Sequence, residues 1–294
     1  MNDKTYCGYV SILGLANAGK STLVNMLTGT KVAIVSPKAQ TTRRRILGIK
    51  IVDKSQIVLV DTPGIFDANN NLDKATTDVA WHASKDSDIN LVIFDVSKPK
   101  FAEINNIISK LPSNKPCILV LNKIDKINKE NLLEIVSQIN TDKIQKVFMI
   151  SALKNKGVNE LVNYLSSSLP ENPWFFPEDQ ITDLPLKVWA AEITREQLYL
   201  QLNQELPYLA YVETESWENM RNGDIKISQA VVVSKANHKN IVLGRNGSKI
   251  KSIGQKSRNE MSKFLHKKIH LFLFVKVKED WINKPSALEA LGIK

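Results

Sequence analysis

Short runs of valine, isoleucine and leucine, each closed by polar turn residues, recur through the first half of the chain. They occupy 6–13, 46–52, 56–61, 89–95, 116–122 and 146–151. Near-continuous apolar runs of this length predict strands covered on both faces, and the longer stretches between them read as helices. The pattern predicts a doubly wound α/β domain built on a mostly parallel six-stranded sheet. Asp53-Lys54-Ser55 brings two runs close enough for a hairpin, which makes one strand pair antiparallel.

The alternation stops at Leu169-Pro170-Glu171-Asn172-Pro173-Trp174-Phe175-Phe176-Pro177. Prolines at this density exclude a regular helix and predict a semi-extended linker whose aromatics pack on a neighbouring domain. Beyond it the expected order is helix (188–203), strand (210–217), strand (224–233), helix (248–265) and strand (269–277). That order is α+β and does not repeat the first half. The expected organisation is a first domain over 1–168, a Pro-rich linker over 169–184 and a second domain over 185–294.

Composition narrows this picture. The 294 residues are enough for two cores. No stretch resembles a signal peptide or a membrane span. Cys7 and Cys117 sit in strand-like runs without metal-ligand spacing, so buried free thiols in a reducing cytoplasm are expected. The net charge of +10 is unevenly placed: residues 169–220 carry 2 basic against 10 acidic residues, and 221–278 carry 14 against 2. Such segregation points to a polyanion on the C-terminal third, and charge by itself leaves nucleic acid and anionic membrane both open.

Candidate chemistry begins where the first strand ends. Gly14-Leu15-Ala16-Asn17-Ala18-Gly19-Lys20-Ser21 has the G-x-x-x-x-G-K-S form between a strand and a helix start. That is the context of a phosphate-binding P-loop. Backbone N–H groups from Asn17 to Thr22, including Ala18 and Gly19, would surround phosphate oxygens, and Lys20 would reach the β- and γ-phosphates. The Ser21 hydroxyl would ligate Mg²⁺. Asp61-Thr62-Pro63-Gly64 follows a strand, where Asp61 can hold a Mg²⁺-bound water and the Gly64 N–H can meet the γ-phosphate. Between them, Thr42 is the expected switch threonine for Mg²⁺ and the γ-phosphate, with Thr41 as the second choice. Arg43-Arg44-Arg45 read either as a solvated basic loop or as contacts to RNA or to the GTP phosphates.

Asn122-Lys123-Ile124-Asp125 closes another strand. The Asp125 carboxylate can accept from guanine N1–H and the exocyclic amine together, whereas adenine would face it with a lone pair. A mismatch of that kind supports about 10⁴-fold discrimination. Asn122 would tie the loop to the P-loop or the base, the Lys123 stem would cover the ring, and Ser151-Ala152 would offer N–H groups to guanine O6. The set predicts a GTP site and disfavours a P-loop kinase or ATPase. Ile65 and Phe66 stand where a Ras-like enzyme keeps its water-orienting glutamine. Slow unaided hydrolysis is therefore expected, and no catalytic residue is named. Asn17 is the side chain suited to an assisting monovalent cation such as K⁺, or to a loop hydrogen bond.

A second glycine-rich loop, Gly244-Arg245-Asn246-Gly247, opens the amphipathic stretch from Ser248. A G-x-x-G loop between strand-like segments is the KH arrangement, whose backbone approaches the sugar–phosphate chain closely. Arg245, Lys249 and Lys251 would supply the electrostatic attraction.

With these residues in view, the chain resembles the Era family of bacterial GTPases. The likeness runs through the P-loop, Lys38-Ala39-Gln40-Thr41-Thr42-Arg43, Asp61–Gly64, Asn122–Asp125 and Gly244–Lys251 to Val275-Lys276-Val277-Lys278-Glu279-Asp280-Trp281. The resemblance implies a type II-like KH domain and a GTP–GDP switch. It also implies binding to the 3′ region of 16S ribosomal RNA, assistance to assembly of the 30S subunit, and peripheral association with the inner membrane. A cytoplasmic monomer is expected. A GTP-gated membrane or protein-interaction module without a specific RNA is the rival reading. The chain departs from the family pattern at Leu15, Ala16 and Ala18, which removes no phosphate contact, and at Asn246, which adds a side chain to the RNA loop.

Overall fold

The computed structural model describes residues 4–38, 41–66, 71–128, 130–203, 206–279 and 281. Ala39 and Gln40 of the switch and Asp280 of the terminal run lie outside the described residues. The chain divides into two compact units, one formed by 1–33 and 42–183 and the other by 34–41 and 184–294.

The first unit contains β1 (Tyr6–Leu13), α1 (Lys20–Thr28), β2 (Ile46–Val52), β3 (Ser55–Asp61), α2 (Asn71–Asp86) and β4 (Ile89–Asp95). It continues with α3 (Phe101–Lys110), β5 (Cys117–Asn122), α4 (Asn131–Ser137), β6 (Lys146–Ile150) and α5 (Val158–Ser168). Strand order is β2-β3-β1-β4-β5-β6. β2 and β3 are antiparallel and every other pair is parallel. Alternation along the strands builds two cores. Ile12, Leu91, Ile93, Ile118 and Val120 meet α1 and α5 on one face, while Val92, Phe94, Leu119 and Leu121 meet α3 and α4 on the other. Both faces are therefore apolar, which is why each strand reads as an unbroken run. Cys7 and Cys117 are buried free thiols, and burial pushes the Cys117 thiol up to about 12, where it is unreactive.

The Pro-rich segment is knitted onto this unit. Buried Gln56 accepts from the Phe175 and Phe176 N–H groups through Oε1 at 2.9 and 3.0 Å, and its Nε2 donates to the Phe176 carbonyl at 2.8 Å. Phe175 stacks on Tyr9 with ring centroids 5.3 Å apart. Farther along, Ile49 N–H donates to the Ile181 carbonyl and Leu47 N–H to the Asp183 carboxylate. Residues 170–183 thus form a strap along β2 and β3.

The second unit contains α6 (Leu186–Gln201), β7 (Ala210–Asn219), β8 (Ile225–Val233), α7 (Ala236–Leu243), α8 (Ser248–Leu265) and β9 (Ile269–Val277). β8 pairs antiparallel with β7 and parallel with β9. Leu198, Val231, Val233, Val242 and Ile253 form one part of its core, and Trp189, Ile227 and Met261 another. Helix α7 departs from the sequence expectation, which placed no element between β8 and the glycine loop. Ala236-Asn237-His238-Lys239-Asn240 is polar, and only Val242 of this helix is buried, so no amphipathic period marks it. Among the described residues, no helix is long and apolar enough to cross a membrane.

Candidate functional site

The P-loop lies at the carboxyl ends of the parallel strands, where open α/β sheets bind ligands. The Lys20 side chain is buried and donates from Nζ to the Gly14 and Leu15 carbonyls at 3.0 and 2.9 Å. Burial lowers its pKa to about 8, against the pull of the Asp61 charge. Gly19 has φ of 104°, and a Cβ there would lie 2.2 Å from Asn122 Nδ2. A Cβ on Gly64 would lie 2.8 Å from Ala16 Cα, so only glycine lets the Asp61–Gly64 turn rest against the loop. Thr22 follows in the first turn of α1, half-buried.

Three side chains expected around Mg²⁺ come together. Ser21 Oγ donates to Asp61 Oδ2 at 2.7 Å and lies 3.0 Å from Thr42 Oγ1. Burial raises the Asp61 pKa to about 6, partly offset by the Ser21 hydrogen bond, the Lys20 charge and the Thr42 hydroxyl. Asp61 Oδ1 is buried without a hydrogen-bond partner among the described residues. An orphaned carboxylate oxygen beside two hydroxyls is a hard-oxygen donor set, which fits Mg²⁺. Among the described residues, no group of three His, Cys, Asp or Glu side chains offers a competing metal site. The neighbouring Thr41 is turned elsewhere: its Oγ1 donates to the Lys38 carbonyl at 2.8 Å and lies 2.7 Å from Ser36 Oγ. Arg43 is buried, Arg44 half-buried and Arg45 exposed, so the three arginines do not form a uniformly solvated run.

The base side is assembled by Asn122. Its Nδ2 donates to the Ala18 carbonyl at 2.8 Å and its Oδ1 accepts from Ala152 N–H at 3.0 Å, which locks three loops together. Lys123 adopts φ of 67° and reaches the Asn17 carbonyl with Nζ at 2.7 Å. Asp125 is exposed, and a hydrogen bond from Ser151 is the main cause holding its carboxyl below the usual range. Asp95 is a residue that the motif reading missed. Its Oδ2 lies 2.5 Å from Lys123 Nζ, while Oδ1 accepts from Ser97 N–H at 2.9 Å and Ser97 Oγ at 2.6 Å. An aspartate at the carboxyl end of an apolar strand was the available signal. Ile65 is buried in an apolar cluster and donates its N–H to the Gly14 carbonyl at 3.1 Å. Its side chain holds no polar group for a water.

In the second unit the other glycine loop connects α7 to α8. Gly244, Asn246 and Gly247 have φ of 70°, 51° and 74°. Asparagine tolerates that left-handed conformation, and here Asn246 points outward with Arg245 and Lys251, while Lys249 is half-buried. A Cβ on Gly244 would lie 3.0 Å from the Lys249 backbone nitrogen.

Residues 9–123 match the family model described as 50S ribosome-binding GTPase, and residues 205–282 match the KH domain model. The GTPase Era of Sinorhizobium medicae is 45% identical over 291 residues, covering 98% of this chain and 94% of the relative. That of Brucella suis is 48% identical over 295 residues, covering 99% and 94%. The chain belongs to the Era family of GTPases. A solved Era, in complex with MgGDPNP and nucleotides 1506–1542 of 16S ribosomal RNA, superposes with a TM-score of 0.92 at 37% identity, covering 98% of this chain and 99% of that one. Aquifex aeolicus Era bound to GDP and AlF₄⁻ superposes equally well, at 38% identity and the same coverage. As an Era-family member the chain is a GTPase with a P-loop G domain and a C-terminal KH domain.

Proposed function

We propose that this GTPase is a timer for an RNA-binding event: it holds Mg²⁺–GTP on the first unit, binds the 3′ region of 16S ribosomal RNA on the KH unit, and assists assembly of the 30S subunit. The observation that carries the reading is its full-length likeness to an Era solved with a magnesium–GTP analogue and that RNA together. In this reading 1–168 is the GTPase domain, 169–184 the Pro-rich linker and 185–294 the KH domain.

Gly14, Asn17 to Thr22, Thr42 and Gly64 would surround the phosphates, with Lys20 reaching the β- and γ-phosphates. Asn122, Lys123, Asp125, Ser151 and Ala152 form the guanine site. Ser21, Thr42 and Asp61 would hold Mg²⁺, which would supply charge neutralisation of the triphosphate. Ile65 leaves the attacking water without a side-chain partner, so unaided hydrolysis is slow. K⁺ at exposed Asn17 is the monovalent aid in this scheme. Cytoplasmic residence as a monomer, with peripheral attachment of the basic stretch to anionic membrane, completes it.

Gly247→Asp tests the RNA half. The position has open space, so the side chain fits at a backbone cost of about 1–2 kcal/mol. The new carboxylate meets RNA phosphate and should weaken binding of a 16S 3′-end oligonucleotide at least about tenfold. Fluorescence anisotropy with the GTP analogue bound measures it, and circular dichroism verifies folding. Equal affinity of variant and parent would defeat the reading that RNA binds at this glycine loop.

A further inference from the structure

Strands β4 and β5 end side by side, and their ends put a carboxylate next to an ammonium. Asp95 closes β4 and pairs in register with Asn122, which closes β5. Val96 N–H donates to the Asn122 carbonyl at 3.1 Å, so the two ends stay in step beyond the last pair. Lys123 then leaves the strand with φ of 67°. That left-handed backbone is uncommon for a residue with a Cβ, and such outliers gather at ligand clamps. Its ammonium lies against Asp95, and the two side chains are only 24% and 15% exposed.

Asp95 is itself fixed. Its Oδ1 accepts from Ser97 N–H at 2.9 Å and from Ser97 Oγ at 2.6 Å, and its carbonyl accepts from Lys98 N–H at 3.3 Å. Its Oδ2 accepts from Lys123 Nζ at 2.5 Å, and the same Nζ donates to the Asn17 carbonyl at 2.7 Å. The ammonium is therefore held at one point by the end of β4 and the P-loop together. A loose lysine stem samples many rotamers, and ordering it opposes binding. With Cα set by the strand end and Nζ set by two acceptors, the four-carbon stem is placed before any nucleotide arrives. Of those acceptors only Asp95 carries a charge, and partial burial makes its pull stronger than it would be in water. All of these residues belong to the first compact unit.

We propose that Asp95 is a positioning residue for the nucleotide: anchored by Ser97, it holds the Lys123 stem over the purine ring and so slows release of the bound nucleotide. This rests on the reading of Lys123 as the cover of the guanine ring. An aliphatic stem reads no hydrogen-bonding edge. Asp95 therefore governs how long a purine nucleotide stays, and leaves the choice of base to Asp125. It acts on the base side alone, so GDP and a GTP analogue are affected alike.

Stopped-flow release of ribose-labelled fluorescent nucleotides from the full-length protein, with Mg²⁺ present, tests this. Asp95→Asn keeps the size of the side chain, but whichever way its amide turns, a donor faces either Lys123 or Ser97. It should speed release of GDP and of a non-hydrolysable GTP analogue by the same factor, about tenfold to a hundredfold, as loss of a hydrogen bond between charged groups implies. Inosine diphosphate lacks the exocyclic amine, so the ratio of its release rate to that of GDP reports on Asp125. That ratio should stay at the parent value. A ratio falling toward one would mean that the whole base site has collapsed, and would overturn the positioning role. Lys123→Ala separates the two layers of the idea. If Lys123→Ala releases GDP at the parent rate, the lysine does not cover the ring and the reading beneath the proposal fails. If Lys123→Ala speeds release and Asp95→Asn does not, Asp95 has no positioning role. With both roles in place, the Asp95→Asn/Lys123→Ala double variant releases GDP little faster than Lys123→Ala alone.

Discussion

Two buried side chains of opposite charge, Lys20 and Asp61, set the working range of the nucleotide site. Burial brings the lysine down to about 8 and the aspartate up to about 6. Below the aspartate value the free protein carries a proton that Mg²⁺ must displace, so binding releases a proton and affinity rises with pH. Above the lysine value the free protein has lost a proton that the triphosphate recovers, so affinity falls as pH rises. Each limb should approach tenfold per pH unit. Titration with a fluorescent GTP analogue and Mg²⁺ from about pH 5 to 10 should give a plateau bounded by these two values. A profile flat across the whole range would contradict this account. The glycines, the lysine and the Asp125 carboxylate were legible in the sequence because their chemistry is local to a motif. Asp95 was not, because its partner Lys123 comes from the loop after another strand.

The strap shows how one element can depend on one residue. Gln56 meets three backbone groups of Phe175 and Phe176. Gln56→Ala leaves those N–H groups without their acceptor, at about 1–3 kcal/mol for each that stays buried. Amide hydrogen exchange at Phe175 and Phe176 should then accelerate by about tenfold or more, with a lower urea midpoint for the full chain. Unchanged exchange would mean that the other contacts of the strap, and not Gln56, protect these two N–H groups. Prolines mark where the strand–helix alternation stops, but the hydrogen bonds that tether this segment come from a strand 120 positions away. The buried polar face of α6 was illegible for the same reason, since Val35 and Glu196 lie 161 positions apart. Strands, by contrast, were readable to within a residue or two, because burial on both faces writes itself directly into composition.

Across the whole chain, the segregation of charge is a statement about ionic strength. The stretch 221–278 holds 14 basic residues against 2 acidic ones, and Arg245, Lys249 and Lys251 lie at or just after the glycine loop. For a single strand, each phosphate contact contributes about −0.7 to the slope of log affinity against log salt. Replacing those three cations by alanine should make the slope shallower by about 2. Binding of a 16S 3′-end oligonucleotide measured from low to physiological salt gives both slopes, and parallel lines would place the RNA elsewhere. β2, finally, is the outer strand of the six-stranded sheet, and the strap occupies its Leu47 and Ile49 N–H groups. An open strand edge flanked by Ile46, Leu47 and Ile49 is a template for pairing with another chain. The strap therefore also works as a guard against aggregation. A fragment cut at Ser168 would lose that guard, whereas one carried through Asp183 would keep it.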